Sequence, residues 1–214
     1  MGRPKGLSGE SRRLAILDAA EVEFGLRGSS ARLAEIGRAV GISRPSVLHH
    51  FGSKEALYEA VVARLFVDLV QAFSQVMKGP GDFAQRLVRL FEDYVRFVRA
   101  RPAFARVILR ELVDGRGPAR AMLAKQLVPL LDLVEGFLSQ AGSGVVPADL
   151  PVRAVILQLG ANELLRSAAG ELEEPLWRDA PDTVQLLAHF FDVSSAAPSP
   201  SLQGAVEELG DLVG

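Results

Sequence analysis

The stretch that most constrains this chain is residues 31–54, ARLAEIGRAVGISRPSVLHHFGSK. Leu33, Ile36 and Val40 recur at helical spacing and lay one apolar stripe, while Arg32, Glu35 and Arg38 face the other way. Gly41 follows the last periodic residue, where a left-handed conformation ends a helix, and Gly41, Ile42 and Ser43 have the length of a helix-turn-helix corner. Ser43 can cap a second helix over residues 44–50, with Pro45 in its first turn, where its missing N–H has no intrahelical partner. That second helix is barely two turns long and too polar for a core element. Held by a longer neighbour, it suits the major groove of a DNA duplex. Phe51 and Gly52 break it, and Ser53 caps a third helix with Lys54 in its first turn, where backbone amides and a cation can jointly hold a phosphate.

The run G-I-S-R-P-S-V-L-H-H-F-G-S-K-E-A-L resembles the signature of the TetR family of transcriptional regulators, and the resemblance covers about the first quarter of the chain. It departs from the family at Leu48, where a tyrosine usually contacts a phosphate. The pair of threonines that usually starts the first stretch is replaced by Ala31 and Arg32. Ser30 is then the expected cap and Arg32 the expected substitute phosphate contact for the threonines, while the tyrosine's contact is either missing or moved to His49. The residues expected to meet DNA are Arg32, Ser43, Arg44, Pro45, Ser46, Val47, His49, His50 and Lys54, with Val47 placed to touch a thymine methyl and Pro45 mainly fixing the helix start. Arg3 and Lys5 join them if the arm of residues 1–10 enters the minor groove; the competing reading is a solvated chain end.

The resemblance implies an all-α fold: a three-helix DNA-binding domain with a helix-turn-helix, followed by a helical bundle for ligand binding and dimerisation. The expected divisions are a basic arm over 1–10, the DNA-binding domain over 11–54, the effector and dimerisation domain over 55–193, and a loose tail over 194–214. Periodicity supports a helical reading throughout. Helices are expected over 11–28, 54–77, 82–99, 103–113, 119–140, 151–169 and 182–191, with strand-like alternation hard to find. The helix over 54–77 carries two apolar stripes, and the resemblance makes it the expected mechanical connection between the two parts.

At 214 residues with 49% hydrophobic side chains, the chain can bury a sizeable core. Its net charge of −2 hides an asymmetry: residues 1–60 hold nine Lys/Arg against seven Asp/Glu, and the remainder fifteen against nineteen. A basic front is compatible with a nucleic-acid surface. The absence of cysteine excludes a disulfide frame and thiolate chemistry. With no apolar signal core and no stretch approaching about 18 uncharged apolar residues, the expectation is a cytoplasmic protein without a membrane partner.

Two further sites follow. The helices over 151–169 and 182–191 are apolar on more than one face, and the resemblance makes residues 151–191 the homodimer interface, so that a twofold pair reads a palindromic operator. If the middle helices bundle, Phe66, Val70, Phe73, Phe91, Tyr94, Phe104, Leu123, Leu127, Gln158 and Asn162 converge on a cavity for a small apolar or amphipathic effector. Plain core is the competing reading, and the resemblance favours the pocket. Gln158, Asn162, Glu163 and Arg166 stand out as polar residues on an otherwise apolar helix.

Adjacent His49 and His50 point about 100° apart on a helix, so no metal site is expected. Cofactors are expected to be none. No nucleophile elbow, phosphate loop, HExxH or suggestive carboxylate pair is present, so an enzyme is not expected. The functional expectation is a repressor released from its operator by a lipophilic ligand. An effector-independent regulator is the alternative, with an α-helical carrier or enzyme for lipophilic molecules behind it.

Overall fold

In the computed structural model, which describes residues 9–114 and 118–191, every regular element among the described residues is helical. The expected arm residues Arg3 and Lys5 and the tail over 194–214 lie outside the described residues. The first helix, α1 (Gly9–Arg27), buries Ile16, Leu17, Ala20 and Phe24 on one stripe. It lies behind α2 (Leu33–Ala39) and α3 (Arg44–Phe51), which form the corner.

Two glycines make that corner possible. Gly41 turns the chain at φ +70°, and a Cβ on Gly37 would lie 2.6 Å from the Ile42 carbonyl oxygen, so α2 and the turn can approach only with hydrogen there. Ser43 caps α3 as expected, accepting from the Ser46 backbone amide at 3.3 Å, and Ser53 caps α4 (Lys54–Lys78) from Ala56 at 3.0 Å.

The start of α2 is held otherwise than expected. Ser30 sits in a short 3-10 turn and donates its hydroxyl to the Arg27 carbonyl. The Arg32 backbone amide donates to the Glu23 carboxylate at 3.1 Å, and Glu23 also pairs with Arg27. A carboxylate from α1, nine residues upstream, therefore does the work assigned to a local serine.

The second half continues with α5 (Phe83–Ala100), opened by a reciprocal capping box between Asp82 and Gln85, then α6 (Pro102–Asp114), α7 (Pro118–Ala141), α8 (Val152–Ala169), the single turn α9 (Glu173–Trp177) and α10 (Thr183–Phe191). Helix α4 packs on α5 and α7, and α8 packs on α6, α7 and α10. Short helix α9 has no counterpart among the expected elements. By length and composition α4 is apolar enough to cross a membrane, although Arg64 and Asp68 interrupt it and leave no uncharged apolar run of about 18 residues. Its apolarity has another use: Leu57, Val61, Leu65, Phe66, Leu69 and Phe73 are buried in the core, while Arg64 pairs with Asp18 and Glu21 and Asp68 with Arg101.

The polar residues of α8 tie the bundle together. Glu163 is fully buried and accepts from Arg99 of α5 at 2.8 Å and from Thr183 of α10 at 2.8 Å. Asn162 donates to Thr183 and accepts from the Trp177 indole, and Arg166 donates to the Pro181 carbonyl. Replacing Glu163 with Ala strips the buried Thr183 hydroxyl of its acceptor and should destabilise the fold by about 1–3 kcal/mol. The midpoint of urea unfolding measures this; a shift within error would show that the network contributes nothing net.

Burial pushes the pKa of Tyr94 above the ordinary tyrosine value, with the nearby Glu163 carboxylate adding to it, and burial followed by the Glu111 hydrogen bond does the same to Tyr58. Both hydroxyls hold their protons more tightly in the folded chain than in the unfolded one. Stability should therefore be complete below the ordinary tyrosine range and fall as pH rises above about 10.

Candidate nucleic-acid interface and ligand cavity

Helix α3 is anchored by Val47 and Phe51, one turn apart and both buried, which leaves Arg44, Pro45 and His49 exposed and Ser46 half-exposed. Val47 is 1% exposed, so its expected contact with a thymine methyl is withdrawn: the helix needs that side chain to hold on to the domain. Ser43 and Ser46 share a hydroxyl–hydroxyl hydrogen bond at 2.9 Å, which orients both beside Arg44. The His49 and His50 rings meet edge to face with centroids 5.8 Å apart, and His50 is half-buried. Among the described residues no group of three or more His, Asp or Glu is arranged to hold a metal ion.

Beside α3 a cleft opens between the amino-terminal ends of α2 and α4. Arg32, Arg44 and Lys54 line it together with Leu48, Ser53 and Glu55. Three cations around an apolar wall suit a passing phosphate, with Leu48 where the family usually has its tyrosine. Arg32 lies at this cleft, and His49 lies outside it.

Between the helices of the bundle lies a cavity of about 130 Å³, walled by α4, α5, α6, α7 and α8 and open to the surface beside Leu112 and Leu157. Of the ten residues expected to line it, Phe73, Phe91, Tyr94 and Leu127 do so. Phe66 and Phe104 instead meet edge to face with centroids 6.0 Å apart in the core, and Leu123 is buried away from the cavity, as Val70 also lies outside its lining. Gln158 is exposed on the outer face of α8, and Asn162 is engaged with Thr183 and Trp177. Both are withdrawn as polar handles, because each side chain points from the face of α8 that leaves the cavity. The wall instead includes Ile108, Leu109, Leu130, Ile156 and Gly160, which sequence reading passed over as ordinary core. Its main polar group is the Tyr94 hydroxyl, which donates to the Gly160 carbonyl at 2.7 Å.

The cavity reaches the amino-terminal helices through α6. Ile108, Leu109 and Leu112 of α6 line the cavity, while Arg110 donates to the Phe24 carbonyl of α1 at 3.0 Å and Glu111 accepts from Tyr58 of α4 at 2.7 Å. At the other end of α6, a Cβ on Gly25 would lie 2.6 Å from the Ala103 Cα, so α1 and α6 touch backbone to backbone. The single connection expected through α4 is therefore joined by a second through α6.

Residues 16–61 match the family model described as bacterial regulatory proteins, tetR family. The amino-terminal segment therefore carries a tetR-type domain. Over 97 residues it is 35% identical to the HTH-type transcriptional activator FasR of Mycolicibacterium smegmatis, an alignment that covers 45% of this chain and 44% of that protein. The chain thus spans less than half the length of this curated relative. The fold is similar to that of a tetR-family transcriptional regulator from Streptomyces coelicolor, with TM-score 0.63, 24% identity and coverage of 97% of this chain and 88% of the other. It is also similar to that of the transcriptional regulator FadR from Bacillus subtilis in complex with stearoyl-CoA, with TM-score 0.66, 16% identity and coverage of 86% and 99%.

Proposed function

We propose that this chain is a DNA-binding transcriptional regulator of the TetR family that reads a palindromic operator as a homodimer and loses affinity for it when a lipophilic ligand enters the bundle cavity. The division of labour follows the expected boundaries: 11–54 for DNA, 55–193 for effector and partner. Binding to chromosomal DNA implies a cytoplasmic location. The observation that carries the ligand-response reading is the placement of consecutive α6 residues: Ile108 and Leu109 in the cavity wall, Arg110 on the Phe24 carbonyl of α1, and Glu111 on Tyr58 in the first turns of α4.

The cavity's size supports a ligand that must reshape it. At about 130 Å³ it is close to a void known to admit a benzene-sized molecule, about 150 Å³. An aliphatic chain of many carbons can enter only by spreading the surrounding helices, α6 among them. Differential affinity for two conformations, which any such switch requires, then has a structural origin. The stearoyl-CoA bound by the Bacillus subtilis FadR makes long-chain acyl thioesters the first ligands to try. Ligand entry that releases the operator relieves repression where the operator overlaps a promoter, and we propose this repressor arrangement, although the FasR relative is named as an activator.

Operator affinity of the full chain, measured by fluorescence anisotropy at fixed salt on DNA upstream of its own gene, should fall about 5- to 150-fold with saturating stearoyl-CoA. Equal affinities with and without every lipophilic compound tried would leave the effector-independent regulator. Ligand at 100 times its dissociation constant should also stabilise the fold by about 2.7 kcal/mol.

The proposed partner is a second copy, held through residues 151–191. On α8, Leu157 and Leu165 lie two turns apart on the exposed face, 44% and 49% exposed, and Phe190 of α10 is 38% exposed. Leu165→Arg should yield a monomer in light scattering and abolish tight operator binding, because a lone recognition helix reads one half-site. A variant that remains dimeric would place the interface elsewhere.

A further inference from the structure

We propose that Arg13 of α1 is a positioning residue for the recognition helix, fixing the carboxyl-terminal end of α3 for contact with base edges. The proposal rests on the DNA-binding reading and adds a residue that stands outside the helix-turn-helix motif. The Arg13 guanidinium donates through Nη1 to the His50 carbonyl at 2.8 Å, and its carbon lies 4.1 Å from the centroid of the Phe51 ring.

Helix α3 has eight residues, so half of its carbonyls fall in the last turn and lack helical partners. Leu48 receives the Gly52 amide at 2.7 Å and Phe51 receives the Ser53 amide at 3.0 Å. The His50 carbonyl receives Arg13 instead, which brings a cation to the negative end of the helix dipole. The planar group meets two requirements at once: its edge bonds a carbonyl while its face covers an aromatic ring that is itself buried in the core. A lysine can supply the charge but not this combination. The exposed His49 precedes the clamped carbonyl by one residue, so the side chain aimed at DNA inherits the order of that turn.

The other role open to an exposed arginine on α1 is direct contact with a DNA phosphate. The two roles separate cleanly. A phosphate contact depends on charge, survives replacement by lysine and contributes about −0.9 to the slope of log affinity against log salt. A positioning residue depends on shape, fails with lysine, leaves the slope unchanged and affects specific sites more than random DNA.

The test uses the full chain with Arg13→Lys and Arg13→Ala. Hydrogen exchange on the free proteins reads the helix end without DNA: amides over 48–52 should exchange about five- to tenfold faster in Arg13→Lys, with those of α5 unchanged. Wild-type protein then selects a duplex from a randomised pool. On that duplex Arg13→Lys should bind about five- to tenfold more weakly, with its salt slope and its affinity for random DNA unchanged. Wild-type exchange rates over 48–52 in Arg13→Lys, or wild-type binding by Arg13→Lys together with a shallower slope in Arg13→Ala, overturns the proposal. If the wild type enriches no sequence, the DNA-binding reading fails, and faster exchange in Arg13→Lys still marks Arg13 as the clamp of α3.

Discussion

Arg44→Ala should weaken operator binding by about 1–3 kcal/mol for each half-site, and so by about 2–6 kcal/mol for a twofold complex, a loss of roughly thirtyfold or more. The argument begins with the register of α3. Val47 and Phe51 are committed to the core, and in a helix of two turns this fixes which residues face outward. Arg44 is the long cation on that outward face, and it stands at the first helical position beside the cleft that also holds Arg32 and Lys54. Its backbone is set by the Ser43 cap and by Pro45, so little conformational freedom remains to be lost on binding. Arg32→Ala should behave differently. Its place at the cleft, off the recognition helix, implies a phosphate contact: binding weakens on all sequences alike and the salt slope falls by about 0.9 per protomer. Titration of both variants against selected and random duplexes at several salt concentrations checks the pair. An Arg44 variant that loses equal affinity on both duplexes would move that residue from base reading to the backbone.

The parts of the fold that proved legible were those written locally. Gly41, Ser43, Pro45, Gly52 and Ser53 punctuate a short segment so densely that α3 ends within one residue of the expected place, because each acts on the backbone within a turn of itself. The parts that were not legible depend on residues far apart in the chain. Glu23 captures the start of α2 from α1, and no pattern near Ser30 announces it. The polarity of Asn162, Glu163 and Arg166 was visible, but their partners Arg99, Trp177, Pro181 and Thr183 come from other elements, so polar handles for a ligand and ties within a bundle read alike in sequence. The inward turn of Val47 was missed for a related reason: over two turns an apolar residue can be placed on either face, and only the packing of α3 against α2 and α4 decides. The cavity walls follow the same rule. Helical spacing names the apolar face of α4 and α5, but how the helices cross determines that Phe73 meets the void while Phe66 meets Phe104.

Filling the cavity should remove the ligand response while leaving the operator-binding surface intact. Gly160 is the position from which to do it. It lines the void from the middle of α8, and a Cβ added there would meet the Tyr94 hydroxyl at 3.6 Å, an ordinary contact. Gly160→Ala should therefore stabilise the fold by about 0.5–1 kcal/mol, since a helix-interior glycine is replaced without strain. Gly160→Leu adds three further carbons that occupy much of the roughly 130 Å³ otherwise open to ligand. Because no side chain of the DNA-binding half is altered, operator affinity without ligand should stay within about twofold of wild type. The change in affinity caused by stearoyl-CoA, about 5- to 150-fold in the wild type, should fall to unity, and ligand-dependent thermal stabilisation should vanish with it. Measuring both readouts on one variant separates the possible outcomes. If Gly160→Leu keeps its stabilisation and its response, the ligand enters elsewhere. If it keeps stabilisation but loses the response, the ligand still enters and α6 no longer relays its arrival.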